Sequence, residues 1–297
     1  MNEKFLQQLE TDTKLRGLSP KTTDEYVKRT SFFLQWVNKP AEEVAEQDIA
    51  RFLTYLIDER KLTPASVNTY NSSLRFFYGV TMDRNLNYKQ LPRQKQRRRI
   101  PVILTKDELS KIFDACDNLR DKAILMTVYG SGLRLSEAVN LRVKDIDSKS
   151  MRIFVYKGKG GRDRFTVLSQ ANLELLREYW KAYRPSDRLF LTKHGTPVTS
   201  RGVQDIFKKY CEKAGINKPV SIHSLRHAFA THLLEDGASV IHIKQVLGHT
   251  HIQSTTFYLH VANIETNMKS PLDTFNAPKK RRGRPLKSKP AGGAANG

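Results

Sequence analysis

Twice in its first half the chain sets a hydroxyl residue directly before a proline at the head of an amphipathic run, at Ser19-Pro20 and at Thr63-Pro64. A serine or threonine oxygen can accept an orphan N–H of a helix's first turn. Proline has no N–H to lose there, so each pair predicts a helix start. Tyr26, Phe32, Phe33, Trp36 and Val37 follow the first pair at roughly helical spacing, and Val67, Tyr70, Leu74 and Phe77 follow the second on one face. Two further helices are expected, from about Glu3 to Lys14 and from about Gln47 to Glu59, the latter with Ile49, Phe52, Leu53 and Leu56 inward. Four short helices with short links predict a small bundle over residues 1–90. At 297 residues the chain has room for a second domain with its own core.

That second domain is expected to open at Thr105, where Thr105 and Glu108 have the spacing of a capping box, and to run to 277. The apolar stretch Ala123 to Val128 reads as a buried helix. Arg152 to Tyr156 and Arg164 to Leu168 alternate like strands around a glycine-rich basic turn, and Leu189 to Leu191 is a candidate third strand. From Ser221 to His260 helices are expected again, punctuated by Gly237 and Gly248, with Ser224 and Ser239 as caps. The fold class is therefore mainly α with a small antiparallel sheet. Residues 91–104 form a basic linker in which Arg97, Arg98 and Arg99 are candidate phosphate contacts; a solvated link fits the same residues equally well.

Charge restricts the partner. Lysine and arginine number 51 and aspartate and glutamate 30, so the net charge is 51 − 30 = +21. Residues 278–297 hold seven of those cations, and without them the body is still 44 − 30 = +14. A field of one sign on this scale points to a polyanion, most often nucleic acid. No apolar run approaches the roughly 20 residues of a membrane span. The start, Met1-Asn2-Glu3-Lys4, lacks a basic head followed by an apolar stretch, and two cysteines are too few for a disulfide framework. A cytoplasmic protein without membrane contact is expected.

Three clusters carry candidate chemistry. In Gly130-Ser-Gly-Leu-Arg134-Leu-Ser-Glu137, the glycines permit a tight turn, Arg134 stands near a helix start, and Glu137 lies three residues on, where it can hold Arg134. In Lys157-Gly-Lys159-Gly-Gly-Arg162-Asp-Arg164, a basic turn can bring Lys159 to a DNA groove, with Lys157, Arg162 and Arg164 as further DNA contacts. The third runs from His223-Ser-Leu-Arg226-His227 through Leu247-Gly-His249 to Tyr258-Leu-His260. Arginine suits a phosphate because its fork matches the oxygens and its charge is permanent. Seven of the eight histidines lie between His223 and His260, yet the only acids among them are Glu235 and Asp236 and the His-Glu-x-x-His spacing is missing. No metal or cofactor is expected.

These clusters, in this order, resemble the tyrosine recombinase (phage integrase) family, and its compact Xer-like members above all. The resemblance covers about residues 105–262, and the helical domain before it is similar to the family's SAM-like core-binding domain. It implies that Arg134 and Arg226 grip a scissile phosphate and that Lys159 is the general acid for the departing 5′-oxygen. It implies further that His223 assists proton transfer, His249 bonds a phosphate oxygen and Tyr258 is the nucleophile. Glu137 would support the first arginine, and His227 reads as a packing or orienting residue. The resemblance implies a clamp on double-stranded DNA, a homo-tetramer on paired sites, and strand exchange through a 3′-phosphotyrosyl link without metal or ATP.

Two other readings use the same residues. A helix-turn-helix regulator needs only the basic body and the segment 225–247, and a relaxing topoisomerase would share the tyrosine chemistry without paired sites. The tail, expected to be disordered, contains Pro278-Lys-Lys-Arg-Arg282-Gly-Arg284-Pro, similar to an AT-hook that lays arginine in a narrow minor groove. A plain electrostatic tether explains it equally, and a nuclear-localisation signal ranks third.

Overall fold

The structure is a computed structural model that describes residues 2–87, 91–95, 101–156, 163–248, Thr255 and Tyr258. The chain divides into two compact units, residues 1–99 and 100–297.

In the first unit the four expected helices form: α1 (Glu3–Leu15), α2 (Pro20–Val37), α3 (Glu46–Asp58) and α4 (Pro64–Phe76), the last running into a π-turn over Phe77–Thr81. Ser19 Oγ accepts the Thr22 N–H and Thr63 Oγ1 accepts the Ser66 N–H, so both Ser/Thr–Pro pairs act as caps, each worth about 1 kcal/mol. The core is aromatic. Phe52 lies edge-on to Phe33 at 5.0 Å and to Tyr70 at 5.8 Å, with Trp36 tilted against it at 5.3 Å. Truncating so central a ring costs about 3–5 kcal/mol.

The start of the expected linker belongs to this unit. Leu91 is buried, and Asn68 on α4 exchanges two hydrogen bonds with the Gln94 backbone, both 2.9 Å. At the other end Leu104 is buried in the second core. Arg97, Arg98 and Arg99 lie outside the described residues.

The second unit comprises α5 (Lys106–Asp114), α6 (Leu119–Gly130), α7 (Leu135–Asn140), β1 (Ile146–Asp147), β2 (Arg152–Val155), β3 (Arg164–Val167), α8 (Gln170–Tyr183), α9 (Ser200–Lys213), α10 (Ile222–Glu235) and α11 (Val240–Leu247). The Thr105–Glu108 capping box forms in both directions. Helix α6 carries the core, with Ala123, Ile124, Leu125 and Val128 all buried. The sheet is antiparallel with order β1-β2-β3, and Phe154 faces Phe165 across β2 and β3.

One expectation is corrected and another refined. Leu189 to Leu191 adds no strand; Leu191 makes only an isolated bridge to Pro197, and the third strand is Ile146–Asp147. The run is apolar because Leu189 and Phe190 are buried in the core, and apolar character alone does not create strand pairing. Ser224 caps from within the helix and not from its flank: Ser221 is the flanking residue of α10, and Ser224 Oγ accepts its N–H as the third-position half of a capping box, whereas Ser239 caps α11 from the flank. No helix among the described residues is long and apolar enough to cross a membrane.

Candidate active site

The turn between α6 and α7 is built by Gly132, at φ +58°. A Cβ there would stand 2.4 Å from the Phe229 ring, so the position excludes a side chain on both conformational and steric grounds. Thr166 on β3 pins the turn by donating to the Ser131 carbonyl at 2.6 Å. Arg134 follows as the residue flanking α7. Glu137, in the helix's first turn, accepts the Arg134 N–H at 2.8 Å and its guanidinium at 2.7 Å.

Arg226, 92 positions later on α10, reaches the same place. Its guanidinium donates to the Gly132 carbonyl at 2.5 Å and the Leu247 carbonyl at 2.6 Å, and lies 3.8 Å from Glu137. Arg134 also donates to the Gly248 carbonyl, at 3.3 Å. Two arginines from distant parts of the sequence are thus fixed by one carboxylate and by the carbonyls that end α11.

Arg164 is placed differently from its expected role among the DNA contacts. It points inward from β3, its side chain 9% exposed, and grips Glu137 with a two-pronged fork at 2.8 and 2.7 Å while donating to the Val246 carbonyl. Gly248, at φ +63°, is the surface against which it lies; a Cβ there would meet Arg164 Cδ at 2.6 Å. Three guanidinium groups surround one carboxylate, which leaves a local excess of 3 − 1 = two positive charges. Burial alone would push the Glu137 carboxyl up. The Arg164 fork, followed by Arg134, outweighs it and holds the group at about 2. Arg226 feels burial and the Arg134 charge, both of which press its pKa down; guanidinium keeps its proton at neutral pH regardless.

Tyr258 lies within range of these charges. Its ring is 3% exposed and packs with Phe229, Ala230, Leu234, Ile243 and Leu247. Its hydroxyl lies 3.0 Å from Nδ1 of His227. Burial raises the phenol above the ordinary tyrosine value, and Arg226 and Arg134 pull it back. His223, one turn before His227 on α10, is exposed, and partial desolvation together with Arg226 and Arg134 lowers its pKa. The imidazole of His227 is lowered by burial, then by His223 and Arg226. In both rings the shift favours the neutral form.

Arg134, Glu137, His223, Arg226, His227 and Tyr258 thus converge. Lys157, Lys159, Arg162, His249, Arg282 and Arg284 lie outside the described residues. Sequence reasoning missed the part Arg164 plays as the second holder of Glu137. Its strand phase offered a signal, because Arg164 and Thr166 share one face of β3 while Phe165 and Val167 share the other.

Residues 103–265 match the phage integrase family and residues 5–88 match the phage integrase N-terminal SAM-like domain. A Sinorhizobium fredii protein named as integrase/recombinase y4qK is 39% identical across 86% of this chain and 84% of its own. The tyrosine recombinase XerD of Listeria monocytogenes is 32% identical across 84% of this chain and 91% of its own. Among solved structures, a lambda integrase tetramer bound to a Holliday junction superposes with a TM-score of 0.71 at 20% identity, over 86% of this chain and 76% of that one, a likeness of fold. The chain therefore belongs to the phage integrase family, as a tyrosine recombinase of the Xer-like kind.

Proposed function

We propose that this recombinase cuts and rejoins double-stranded DNA at specific sites through a phosphodiester link to Tyr258, with the arginine cluster as its phosphate seat. The observation that carries the reading is the meeting of Arg134 and Arg226 at Glu137, with the Tyr258 phenol close enough to feel both charges. A local surplus of positive charge, opening to solvent beside half-buried Arg134 and exposed His223, suits a dianionic transition state.

The roles follow from the chemistry of each side chain. Arg134 and Arg226 neutralise the charge that grows on the non-bridging oxygens. The Tyr258 oxygen attacks phosphorus and forms a 3′-phosphotyrosyl link. Lys159 protonates the departing 5′-oxygen, His223 assists proton transfer, and His249 bonds a phosphate oxygen. Glu137 and Arg164 hold the arginines in place, and His227 orients the phenol. The new ester keeps the energy of the old one, so a second 5′-hydroxyl can reverse the step.

The working form is a homo-tetramer on two paired sites. The lambda integrase relative of similar fold is a tetramer bound to a Holliday junction, and the same assembly is proposed here. Residues 1–90 act as a core-binding domain, 91–104 as the basic connection in which Arg97, Arg98 and Arg99 meet phosphate, 105–277 as the catalytic domain, and 278–297 as a DNA tether through Arg282 and Arg284. Lys157 and Arg162 add contacts beside Lys159. The protein works in the cytoplasm, where its DNA is.

The test is single-turnover cleavage of a nicked duplex that traps the covalent complex. The native chain is expected to form an adduct, and Tyr258→Phe to bind the duplex and form none. An adduct of normal yield from Tyr258→Phe would remove the assignment.

A further inference from the structure

The sheet has two faces of opposite character. β2 turns Ile153 and Val155 into the core and leaves Arg152, Phe154 and, just past its end, Tyr156 on the other side. β3 turns Thr166 inward and leaves Phe165 and Val167 outward, and the register sets Phe154 against Phe165 and Arg152 against Val167. Three rings therefore form one strip. Phe154 lies 5.2 Å from Phe165 and 6.4 Å from Tyr156, and the Arg152 guanidinium lies over Phe165 at 4.6 Å. Tyr156 is 62% and Phe165 49% exposed, so the strip offers ring surface to a ligand. Leu15, Val102, Trp180 and Ile241, the other large apolar side chains exposed among the described residues, are scattered over other elements. Single exposed apolar residues are ordinary, whereas a contiguous strip marks a binding face.

Charge selects the occupant. From Ser148 to Leu168 the sequence carries Lys149, Arg152, Lys157, Lys159, Arg162 and Arg164 against one acid, Asp163. Arg164 is turned inward to Glu137, and Arg152 lies 4.0 Å from Asp147 at the edge of the sheet. An apolar protein partner gains nothing from so basic a surround. A ligand that joins flat π faces to phosphates uses both the rings and the cations. We propose that the strip Tyr156–Phe154–Phe165 is a stacking platform for unpaired DNA bases, namely those that follow the cut phosphate on the strand bearing the new 5′-hydroxyl.

The proposal rests on the recombinase reading above and adds a binding site to it. Lys159, which serves the 5′-oxygen in that reading, is three residues past Tyr156. Covalent geometry keeps their Cα atoms within about 11 Å, a distance of about three base steps of roughly 3.4 Å. The released strand thus begins beside the platform. To be exchanged, its first bases must leave their own complement before they pair with another, and unstacking costs a few kcal/mol. Aromatic faces that receive those bases offset the cost without reading their sequence, because every base has a π face. The inner face of the same strand is tied to the site by Arg164, through Glu137, and by Thr166, through the Ser131 carbonyl, so the platform and the arginines share one rigid strand.

The experiment uses the full chain and two duplexes that carry the cleaved site, one fully paired and one mismatched over the first few bases after the scissile phosphate. Affinities are measured in a Tyr258→Phe background, so that no strand is cut. The chain is expected to prefer the mismatched duplex. Tyr156→Thr with Phe165→Thr keeps β-forming residues on both strands and removes two of the rings. Affinity for the mismatched duplex should then fall roughly 5- to 150-fold, while affinity for the paired duplex, and the adduct rate on a nicked duplex with Tyr258 restored, stay within about threefold. A preference that survives the double change overturns the proposal. So does an equal loss on both duplexes, which would mean that the rings only brace the hairpin, or a failure to assemble on paired sites with the preference intact, which would make the face a contact between copies. A second measurement needs no variant. With 5-iodouracil at the mismatched positions, irradiation of the native complex should cross-link Tyr156, Phe154 or Phe165; a cross-link confined to other elements, or none, overturns the proposal even if the double variant does not fold. If the preference is unaffected while Tyr258→Phe is inert in cleavage, only the platform is wrong; if Tyr258→Phe forms adduct, the recombinase reading is wrong.

Discussion

Glu137→Gln is the most informative single change for the architecture. It keeps the volume, removes the one negative charge that the described residues place among three guanidinium groups, and turns an NH₂ donor toward other donors. The side chains of Arg164, Arg226 and Glu137 are only 9%, 6% and 6% exposed, so water cannot make good the loss. Breaking a buried ion pair by removing one partner costs about 3–5 kcal/mol. An independent route gives a similar figure: a carboxyl moved from its ordinary 4.5 to about 2 contributes about 3 kcal/mol at neutral pH. Because the folded pKa is the lower one, this contribution is complete above about pH 4.5 and disappears as pH falls through 2. Trp180 is the only tryptophan of the second unit, so its fluorescence in a Trp36→Phe background follows that unit alone. In urea at pH 7 the Glu137→Gln midpoint should drop by roughly 1–3 M, and the gap to the parent should about halve by pH 3. An unchanged midpoint, or a gap that does not narrow in acid, would refute the charge argument.

Other changes test neighbouring steps. Arg164→Lys should slow cleavage and lower stability by about 1–3 kcal/mol while DNA affinity holds, because an ammonium cannot reproduce the two-pronged grip; chemical denaturation and single-turnover assays check both. Gly132→Ala should destabilise the second unit by about 1–3 kcal/mol, since φ +58° and the Phe229 ring both oppose a Cβ; a neutral effect in a melting experiment would mean that the turn relaxes freely. Deleting 278–297 should weaken DNA binding and flatten its salt dependence, by about 0.9 in log–log slope for each phosphate that the tail neutralises; an identical slope would show that it neutralises none.

Helix starts were legible because capping is local. Ser19, Thr63 and Thr105 announce their own helices within four residues, and the spacing of aromatic residues located the first core. The cluster at Arg134 and Glu137 was legible for the same reason, as both sit in one helical turn. The remainder needed the fold. Period-two alternation in Arg164 to Val167 says that the two faces differ, not which one turns inward. Here Phe165 is 49% exposed, under the Arg152 guanidinium at 4.6 Å, while Arg164 is buried because Glu137 compensates its charge. Nor could spacing reveal the bond between His227 on α10 and Tyr258, which joins positions 31 apart in the sequence.

Two guanidinium groups sharing one phosphate within reach of one phenol are the centre of the proposed chemistry. A structure of the covalent complex trapped on a nicked duplex measures that directly. The expected density joins phosphorus to the Tyr258 oxygen, with Arg134 and Arg226 each within hydrogen-bond distance of its non-bridging oxygens. A phosphorus bonded to another side chain, or one that either arginine fails to touch, would contradict it.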